Sequence, residues 1–374
     1  MAGYIVFIVV GIALIYLGKV TRTKGFENLN IKRIIEKNLV RVGEEFKVVT
    51  VIENNKWFPI SFLTLKEFVT KNIKYTNSHK SSRNGNDFVY ENNYSIGSHE
   101  RVRRTYKAVA NKRGTYIISH MECIIGDMFG FSYNNKEFRD YKEILVYPKE
   151  IDINKIKFDC KGIQGDTIVK RWIYEDPIFI KGVRNYSPES RMKDIHWKAS
   201  SKLGKFMVKE YDHTSDIQFN IILNVQCGKV HWQNINEELI EKCIEVTAAV
   251  AKSVLGEGIP VGIGTNAMLV SFNGYCKSDI KPSLNSLEKI LQFCARVGYD
   301  IQTSLYNYLK QNVQSFSTNS TYILVTPYID EDSENLLFKL GKAGYSIKII
   351  DVSMNKALKN IRGIEKIVYE GVIQ

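Results

Sequence analysis

Apolar side chains recur along this chain with different spacings, and each spacing marks its own region. Residues 2–17 contain no charged side chain. Between residues 31 and 150, apolar and polar positions alternate over short stretches, which is typical of β-strands. From residue 214 onward, apolar runs alternate with stretches that repeat about every 3.6 residues, which predicts strands and helices in turn.

The N-terminal apolar run predicts a single transmembrane anchor over residues 1–20, since a spanning helix needs roughly 17–25 apolar residues. Tyr4 and Tyr16 stand where aromatic side chains meet membrane boundaries, and Lys19 and Arg22 follow. Because positive charge marks the cytoplasmic side, we expect a single-pass protein of the cell membrane whose remaining chain is cytoplasmic. A signal peptide and a buried core helix are the alternatives, but the run lacks a basic preceding region, a small-residue cleavage site and a polar face.

Residues 31–150 predict an antiparallel β-sandwich. A β-branched run covers residues 46–52, and the Asn84-Gly85 pair is typical of a two-residue hairpin turn. No helix of ordinary length is evident in this region. Several short strands with regular turn residues between them favour two packed antiparallel sheets.

Residues 214–374 predict an α/β domain with a Rossmann-like layered sheet. The predicted strands cover residues 217–225, 260–264, 322–326 and 346–351, and the predicted helices cover 240–254, 286–297, 303–316 and 334–343. The first strand is almost continuously apolar, as expected of a central strand covered on both faces. No Gly-x-Gly-x-x-Gly run follows it, so we expect no dinucleotide.

Composition adds a basic balance and scattered cysteines. Lys and Arg number 52 against 40 Asp and Glu, a net charge of +12. That charge favours acidic partners such as nucleic acid, anionic lipid or an acidic protein, although a solvated basic surface gives the same balance. The six cysteines form no Cys-x-x-Cys pair and no His/Cys cluster. They are typical of reduced, buried thiols on the cytosolic side of a membrane.

The stretch 181–212 is the densest mixture of basic, aromatic and turn-forming residues. It holds eight Lys or Arg against four Asp or Glu. Pro188 predicts a turn or extended entry, and residues 194–203 predict a short helix that ends at Gly204. Ile195 is expected to point inward. For Trp197 two interpretations are open, a core residue or part of a contact surface.

This stretch resembles the DUF58 family. The matching residues are Arg184, Tyr186, Pro188, Arg191, Ile195, Trp197, Lys198, Gly204, Val208, Lys209 and Glu210. Three upstream motifs match in the same order, Lys112-Arg113-Gly114-x-Tyr116, Asp127-Met128-Phe129-Gly130 and Val146-Tyr147-Pro148. Glu189-Ser190 stands where the family has Gly-Asp, which removes that turn glycine and carboxylate. For the first two of these motifs, the alternative interpretation is that they are simply corners of the sandwich.

The resemblance implies that residues 151–213 are the family's signature segment and that residues 214–374 form a von Willebrand factor A-like domain. Such domains bind a divalent metal through Asp-x-Ser-x-Ser after the first strand. The corresponding residues here are Asn224, Gln226 and Gly228, which lack the carboxylate and both hydroxyls. Because hard cations need charged or multiple oxygen ligands, we expect no metal and no cofactor. Asn224 and Gln226 are expected to cap the strand end instead.

The resemblance further implies a non-catalytic, membrane-anchored scaffold or adaptor that acts with a MoxR-type AAA+ ATPase in envelope-related assembly. Its expected interaction motif consists of Arg184, Tyr186, Pro188, Arg191, Ile195, His196, Trp197 and Lys198. The alternative is a binder of nucleic acid or anionic lipid through the same basic segment. A hydrolase that uses His196 with Asp194 is disfavoured, because residues two apart face different sides of a helix and no nucleophile is evident.

Overall fold

The structure is a computed structural model of the chain. It describes residues 8, 9, 11, 12, 16, 18, 19, 23–77, 81–85, 87–126, 133–156, 180–188, 190–211, 218–230, 234–272, 274 and 276–370. The chain forms two compact units. The first contains Met1–Lys149, Leu269–Cys276 and Leu291–Gly298, and the second contains Glu150–Met268, Lys277–Ile290 and Tyr299–Gln374.

The first unit is built from two β-sheets. Its strands are β1 (Leu29–Ile35), β2 (Leu39–Arg41), β3 (Glu45–Asn54), β4 (Ile60–Thr70), β5 (Ile73–Tyr75), β6 (Ser81–Asn84), β7 (Asp87–Ile96), β8 (Arg101–Ala110), β9 (Gly114–Gly126) and β10 (Tyr133–Tyr147). One sheet has the order β1-β3-β8-β5 and the other β2-β10-β9-β4-β7-β6. The pairs are antiparallel except β2 with β10, which is parallel and departs from the predicted pattern.

The core of the first unit lies between the two sheets. Val48 and Tyr106 of the four-stranded sheet pack with Val69, Tyr90 and Ile118 of the six-stranded sheet. Alternation produces this core, because every second side chain of a strand points to the same face. The two sheets therefore have the organisation of a β-sandwich, which confirms the predicted β-rich first region.

The remaining elements alternate between strands and helices. In chain order they are β11 (Ile180–Asn185), α1 (Trp197–Leu203), β12 (Met207–Tyr211), β13 (Gln218–Leu223), α2 (Glu237–Gly256), β14 (Val261–Thr265), β15 (Ala267–Leu269), β16 (Asp279–Ser283), α3 (Leu287–Arg296), β17 (Val297–Ile301), α4 (Leu305–Asn312), β18 (Ser320–Thr326), α5 (Glu331–Lys342), β19 (Ser346–Asp351) and β20 (Glu365–Val368). Six strands form a sheet of order β16-β14-β13-β18-β19-β20, and β11-β12 and β15-β17 form separate pairs.

The six-stranded sheet of the second unit is parallel except at one edge. Strand β13 pairs in parallel with β14 and β18, whereas β16 is antiparallel to β14. Asn236 caps the N-terminus of helix α2, because its side chain accepts a hydrogen bond from the Leu239 N–H. The apolar face of this helix, including Ile240 and Ile244, is buried. The carboxyl ends of the parallel strands bring Asn224, after β13, and Thr326, at the end of β18, to one edge of the sheet.

The N-terminal anchor prediction falls mostly outside the described residues, as does the motif of residues 127–130. Within the part of the chain that the structure describes, no helix is long and apolar enough to cross a membrane.

Candidate interaction site

The segment 180–211 folds as a strand pair with a short helix between its strands. Strand β11 runs antiparallel to β12, with Arg184 opposite Val208. Ile195 forms an isolated bridge to Val208. Ile195, Met207 and Val208 are buried and form the small core of this segment, as predicted for Ile195.

His196 caps the helix of this segment. Its Nδ1 accepts a hydrogen bond from the Ala199 N–H at 3.1 Å, and Gly204 ends the helix in the left-handed region at φ +66°. The predicted stop at Gly204 is therefore confirmed, whereas the helix begins three residues later than predicted. The Ser200 hydroxyl bonds to the His196 carbonyl oxygen at 3.0 Å. Both polar side chains thus serve the local fold.

Three aromatic side chains are exposed on this segment. Trp197 is 66% exposed and Phe206 is 59% exposed, and Tyr186 is also exposed. The Phe206 ring lies edge-on to both others, with ring centroids 6.1 Å from Tyr186 and 6.5 Å from Trp197. The interpretation of Trp197 as a core residue is therefore wrong. Sequence reasoning missed Phe206, because its position just before β12 gave no indication of its face.

Basic side chains are exposed on the same segment. Arg184, Arg191 and Lys198 are exposed, and none of them forms an ion pair with another described residue. We call the exposed side chains of Arg184, Tyr186, Arg191, Trp197, Lys198 and Phe206 the aromatic–basic surface.

The turn before the helix is closed by two serines. The Ser190 N–H donates to the Ser187 carbonyl oxygen at 2.8 Å, and the two hydroxyl oxygens lie 2.9 Å apart. Ser190 is buried and Pro188 is exposed. The serine pair thus supports this turn where the family pattern has Gly-Asp, while Glu189 lies outside the described residues.

The residues at the metal-motif positions belong to a buried amide network. The Asn224 Nδ2 donates to Thr326 Oγ1 at 2.8 Å and to the Tyr328 carbonyl oxygen at 2.9 Å. Its Oδ1 accepts from the Gln226 N–H at 3.0 Å and from Asn266 Nδ2 at 2.8 Å. Asn224 is fully buried. All four hydrogen-bonding sites of its amide are therefore occupied by protein groups.

Gln226 extends this network between chain segments. Its Nε2 donates to the Gly228 carbonyl oxygen at 3.1 Å, and its Oε1 accepts from the Leu305 N–H at 3.0 Å. Asn266, which sequence reasoning missed, also accepts from the Val225 N–H at 3.1 Å. Across the described residues, no group of three or more His, Cys, Asp or Glu side chains is arranged to hold a metal ion.

The upstream Arg-Gly-x-Tyr motif fixes a turn of the first unit. The Arg113 guanidinium is buried and donates to the Cys294 carbonyl oxygen at 3.1 Å and to that of Val297. The Tyr116 hydroxyl bonds to the carbonyl oxygens of Lys112 and Arg113 at 2.9 and 3.1 Å. This motif therefore has a structural role at a corner of the sandwich, which agrees with the corner interpretation.

Comparisons with known proteins identify one distant relative. No protein-family model matches the chain. The Bacillus subtilis (strain 168) protein called uncharacterized protein YeaD is 19% identical over 237 residues, which cover 62% of this chain. The match spans about half, 54%, of that relative's own length.

Similar solved structures cover about a third of the chain. The CARDB domain of the PF1109 protein from Pyrococcus furiosus is 12% identical, covers 32% of this chain and 90% of its own, and gives a TM-score of 0.22. A cohesin module from a Clostridium perfringens family 33 glycoside hydrolase is 14% identical, covers 31% of this chain and 96% of its own, and gives a TM-score of 0.23. Scores this low carry no argument about fold or function.

Proposed function

We propose that this protein is a non-catalytic, membrane-anchored adaptor that binds an acidic partner protein through its aromatic–basic surface. The observation that carries the proposal is the exposure of Tyr186, Trp197 and Phe206 on the same short segment as exposed cations that have no ion-pair partner among the described residues. Tryptophan, tyrosine and arginine are the residues that most often dominate protein interfaces. A partner with carboxylates around an apolar groove would match this chemistry.

The partner that we propose is a MoxR-type AAA+ ATPase, and the process is envelope-related assembly. The support is the DUF58 resemblance of residues 181–212, together with the upstream motifs. The strand order β16-β14-β13-β18-β19-β20, with one antiparallel edge, supports assigning the second unit to the Rossmann-like, von Willebrand A-like class. The amide network around Asn224 supports a version of that domain without a metal.

The anchor is the second part of the proposal. The uncharged run of residues 2–17 and the basic residues that follow support a single span with the two folded units on the cytoplasmic side. The adaptor would then present its aromatic–basic surface to a cytoplasmic ATPase.

Binding of the full chain, in detergent, to the purified MoxR-type ATPase of the source cell tests the proposal. Trp197→Ala and Phe206→Ala should each weaken binding by about 30-fold or more, since truncated interface anchors typically cost at least about 2 kcal/mol. Lys198→Glu should weaken it as well, because it reverses a charge that faces the acidic partner. The matched control is Lys289→Glu, another exposed helical lysine of the second unit, which should bind as the wild type does.

Two outcomes would contradict this proposal. If the wild-type chain does not bind the ATPase, the partner is wrong. If Lys198→Glu and Lys289→Glu weaken binding equally, the aromatic–basic surface is not the site. Neither lysine substitution should disturb the fold, because both side chains are exposed.

A binder of nucleic acid or anionic lipid is the second candidate, favoured by the same mixture of exposed aromatic and basic side chains. Its distinguishing property is a steep salt dependence, since cations that contact phosphates release counterions. Binding of the full chain to single-stranded DNA that weakens as salt rises and is lost in Arg191→Ala would favour this candidate over the adaptor.

A further inference from the structure

The first continuous stretch of the fold, residues 23–29, is fastened to one end of the sandwich. The Lys56 ammonium donates to the Gly25 carbonyl oxygen and to that of Glu27, the latter at 3.2 Å. The Asn55 N–H donates to the Asn28 carbonyl oxygen at 3.0 Å. The chain therefore enters the first unit beside the loop that connects β3 to β4.

This end of the sandwich exposes three large aromatic side chains. Trp57 is 72% exposed, Tyr133 is 67% exposed and Phe62 is 55% exposed. A Cβ atom on Gly126 would lie 3.2 Å from Phe62 Cβ and 3.3 Å from a Tyr133 ring carbon, so both side chains flank this glycine. Gly126 in turn lines a small cavity together with Gly25, Phe58 and Ser61. Phe62 and Tyr133 thus lie next to this cavity, and Trp57 follows Lys56, which holds the entering chain.

The length of the entering chain limits how far this end can lie from the predicted anchor. The apolar run ends at Leu17-Gly18, and Gly25 follows seven residues later. Seven residues reach at most about 25 Å even when fully extended. An anchored chain therefore holds Gly25, and with it the Trp57 loop, within about 25 Å of the membrane boundary.

We infer that this end of the first unit rests on the lipid headgroups, with Trp57, Phe62 and Tyr133 inserted at the interface. Tryptophan and tyrosine rings, which have one polar edge, favour the headgroup level, and a phenylalanine ring adds apolar area there. Lys19, Arg22 and Lys24 lie on the connecting chain, and their charges suit anionic phosphates. The inference rests on the anchor of the proposed function and adds an orientation of the first unit toward the bilayer.

Tryptophan quenching tests the inference in the full chain. Two variants of the chain are compared, a test protein and a control protein. Both carry Trp172→Phe, Trp197→Phe and Trp232→Phe, so that Trp57 is the single tryptophan of the test protein. The control protein also carries Trp57→Phe and Glu45→Trp. Glu45 is exposed and begins β3, whereas Asn54 ends this strand just before the Trp57 loop. At roughly 3.4 Å per residue, the two ends of β3 are about 30 Å apart.

The measurement compares both proteins in nanodiscs of phosphatidylcholine and phosphatidylglycerol with and without brominated acyl chains. We expect bromine to quench Trp57 at least about twofold more than the tryptophan at position 45, because only an interfacial ring lies near the acyl chains. Equal quenching of the two tryptophans would overturn the inference while leaving the anchor intact. A chain that elutes separately from the nanodiscs would overturn the anchor as well.

A second pair of variants guards against misfolding of the multiply substituted chains. Trp57→Cys and Glu45→Cys each change one exposed residue of the wild-type chain. In nanodiscs, a charged maleimide should alkylate the cysteine at position 57 several-fold more slowly than the one at position 45, relative to their rates in urea. Equal relative rates would contradict the inference. Peptide mass spectrometry separates these cysteines from the native ones, of which Cys123, Cys243 and Cys294 are buried.

Discussion

The backbone at Gly114 has φ of +146°, in a region that residues with a side chain rarely adopt. This conformation lets the Tyr116 ring fold back so that its hydroxyl reaches the carbonyl oxygens of Lys112 and Arg113. In the same turn, the Arg113 guanidinium donates to the Cys294 and Val297 carbonyl oxygens. Three residues of the motif therefore support one turn, and glycine is needed there for conformational reasons.

Gly114→Ala should lower the free energy of unfolding by about 1–3 kcal/mol, the usual cost of forcing a strained backbone conformation. The added Cβ would also lie 3.4 Å from the Tyr116 ring. Urea unfolding followed by circular dichroism measures the effect. Gly256→Ala is the control, since Gly256 lies at the end of α2 with open space around it and a helical alanine is favoured by up to about 1 kcal/mol. If Gly114→Ala does not lower the free energy of unfolding relative to Gly256→Ala, the strain argument is contradicted.

Burial at this turn lowers the reactivity of the Cys294 thiol. Burial raises the pKa of its thiol to about 12, although the nearby Arg113 charge opposes this shift. The thiolate is the reactive form of cysteine, so Cys294 is expected to be inert at neutral pH. Its burial beside Arg113 fits a structural role.

At the scale of elements, the parallel strands converge on the amide network of Asn224, Gln226 and Asn266. Strands β13 and β18 end side by side, so the Asn224 amide can bond both to its own turn and to Thr326. Such networks stabilise a structure only when each buried polar group has a partner. Here each amide of the network bonds to protein groups, so that condition is met.

Asn224→Asp should destabilise the second unit by about 3 kcal/mol or more, because a carboxylate cannot donate to Thr326 and the Tyr328 carbonyl oxygen and would be buried without a cation. Thermal unfolding measures the loss. Asn285→Asp, at an exposed loop residue, is the control and should stay within about 0.5 kcal/mol of the wild type. Mg²⁺ should not stabilise the wild-type chain. Mg²⁺ bound at Asn224 in a metal-soaked crystal would contradict this prediction.

At the scale of the whole molecule, the chain returns late to its first unit. Residues Leu269–Cys276 and Leu291–Gly298 belong to that unit, although they follow the strands of the second. Arg296 forms two hydrogen bonds of 2.7 Å with the Glu143 carboxylate, across 153 residues of sequence. The Phe272 N–H donates to the same carboxylate at 3.1 Å, and the Phe272 ring stacks on Tyr141. These contacts fasten both returning segments to β10.

The Glu143–Arg296 pair predicts a pH dependence. Hydrogen bonds from Arg296 hold the pKa of Glu143 below its ordinary value of 4.5. A lowered pKa in the folded state adds stability above the ordinary value, and that stability is lost as the pH falls through the folded value. Glu143→Gln should therefore unfold more easily at pH 7, by about 1 kcal/mol, and this difference should shrink below about pH 4.5.

Urea unfolding at several pH values between 7 and 3 measures this difference. The matched control is Glu137→Gln, since Glu137 pairs with Arg139 on the exposed surface of the same strand. An exposed pair typically contributes less than about 1 kcal/mol, so this variant should follow the wild type throughout. A Glu143→Gln difference that persists unchanged at pH 3 would contradict the role of the carboxylate charge.

Local patterns in the sequence were sufficient where the deciding interactions are local. The β-branched run of residues 46–52 predicted a strand of the sandwich, and the apolar repeat of residues 240–254 predicted α2. Gly204 ended the short helix as predicted, because the left-handed residue at a helix end depends on its neighbours in sequence.

By itself, the sequence thus determined a β-rich first region, a region of alternating strands and helices, and a basic, aromatic central segment. Only the tertiary structure decided that Trp197 is exposed beside Phe206, that Asn266 completes the Asn224 network, and that residues 269–276 and 291–298 pack in the first unit. The physical reason is distance along the chain. Periodicity reports which face of an element is apolar, whereas the partner of that face, or its absence, is set by segments tens to hundreds of residues away.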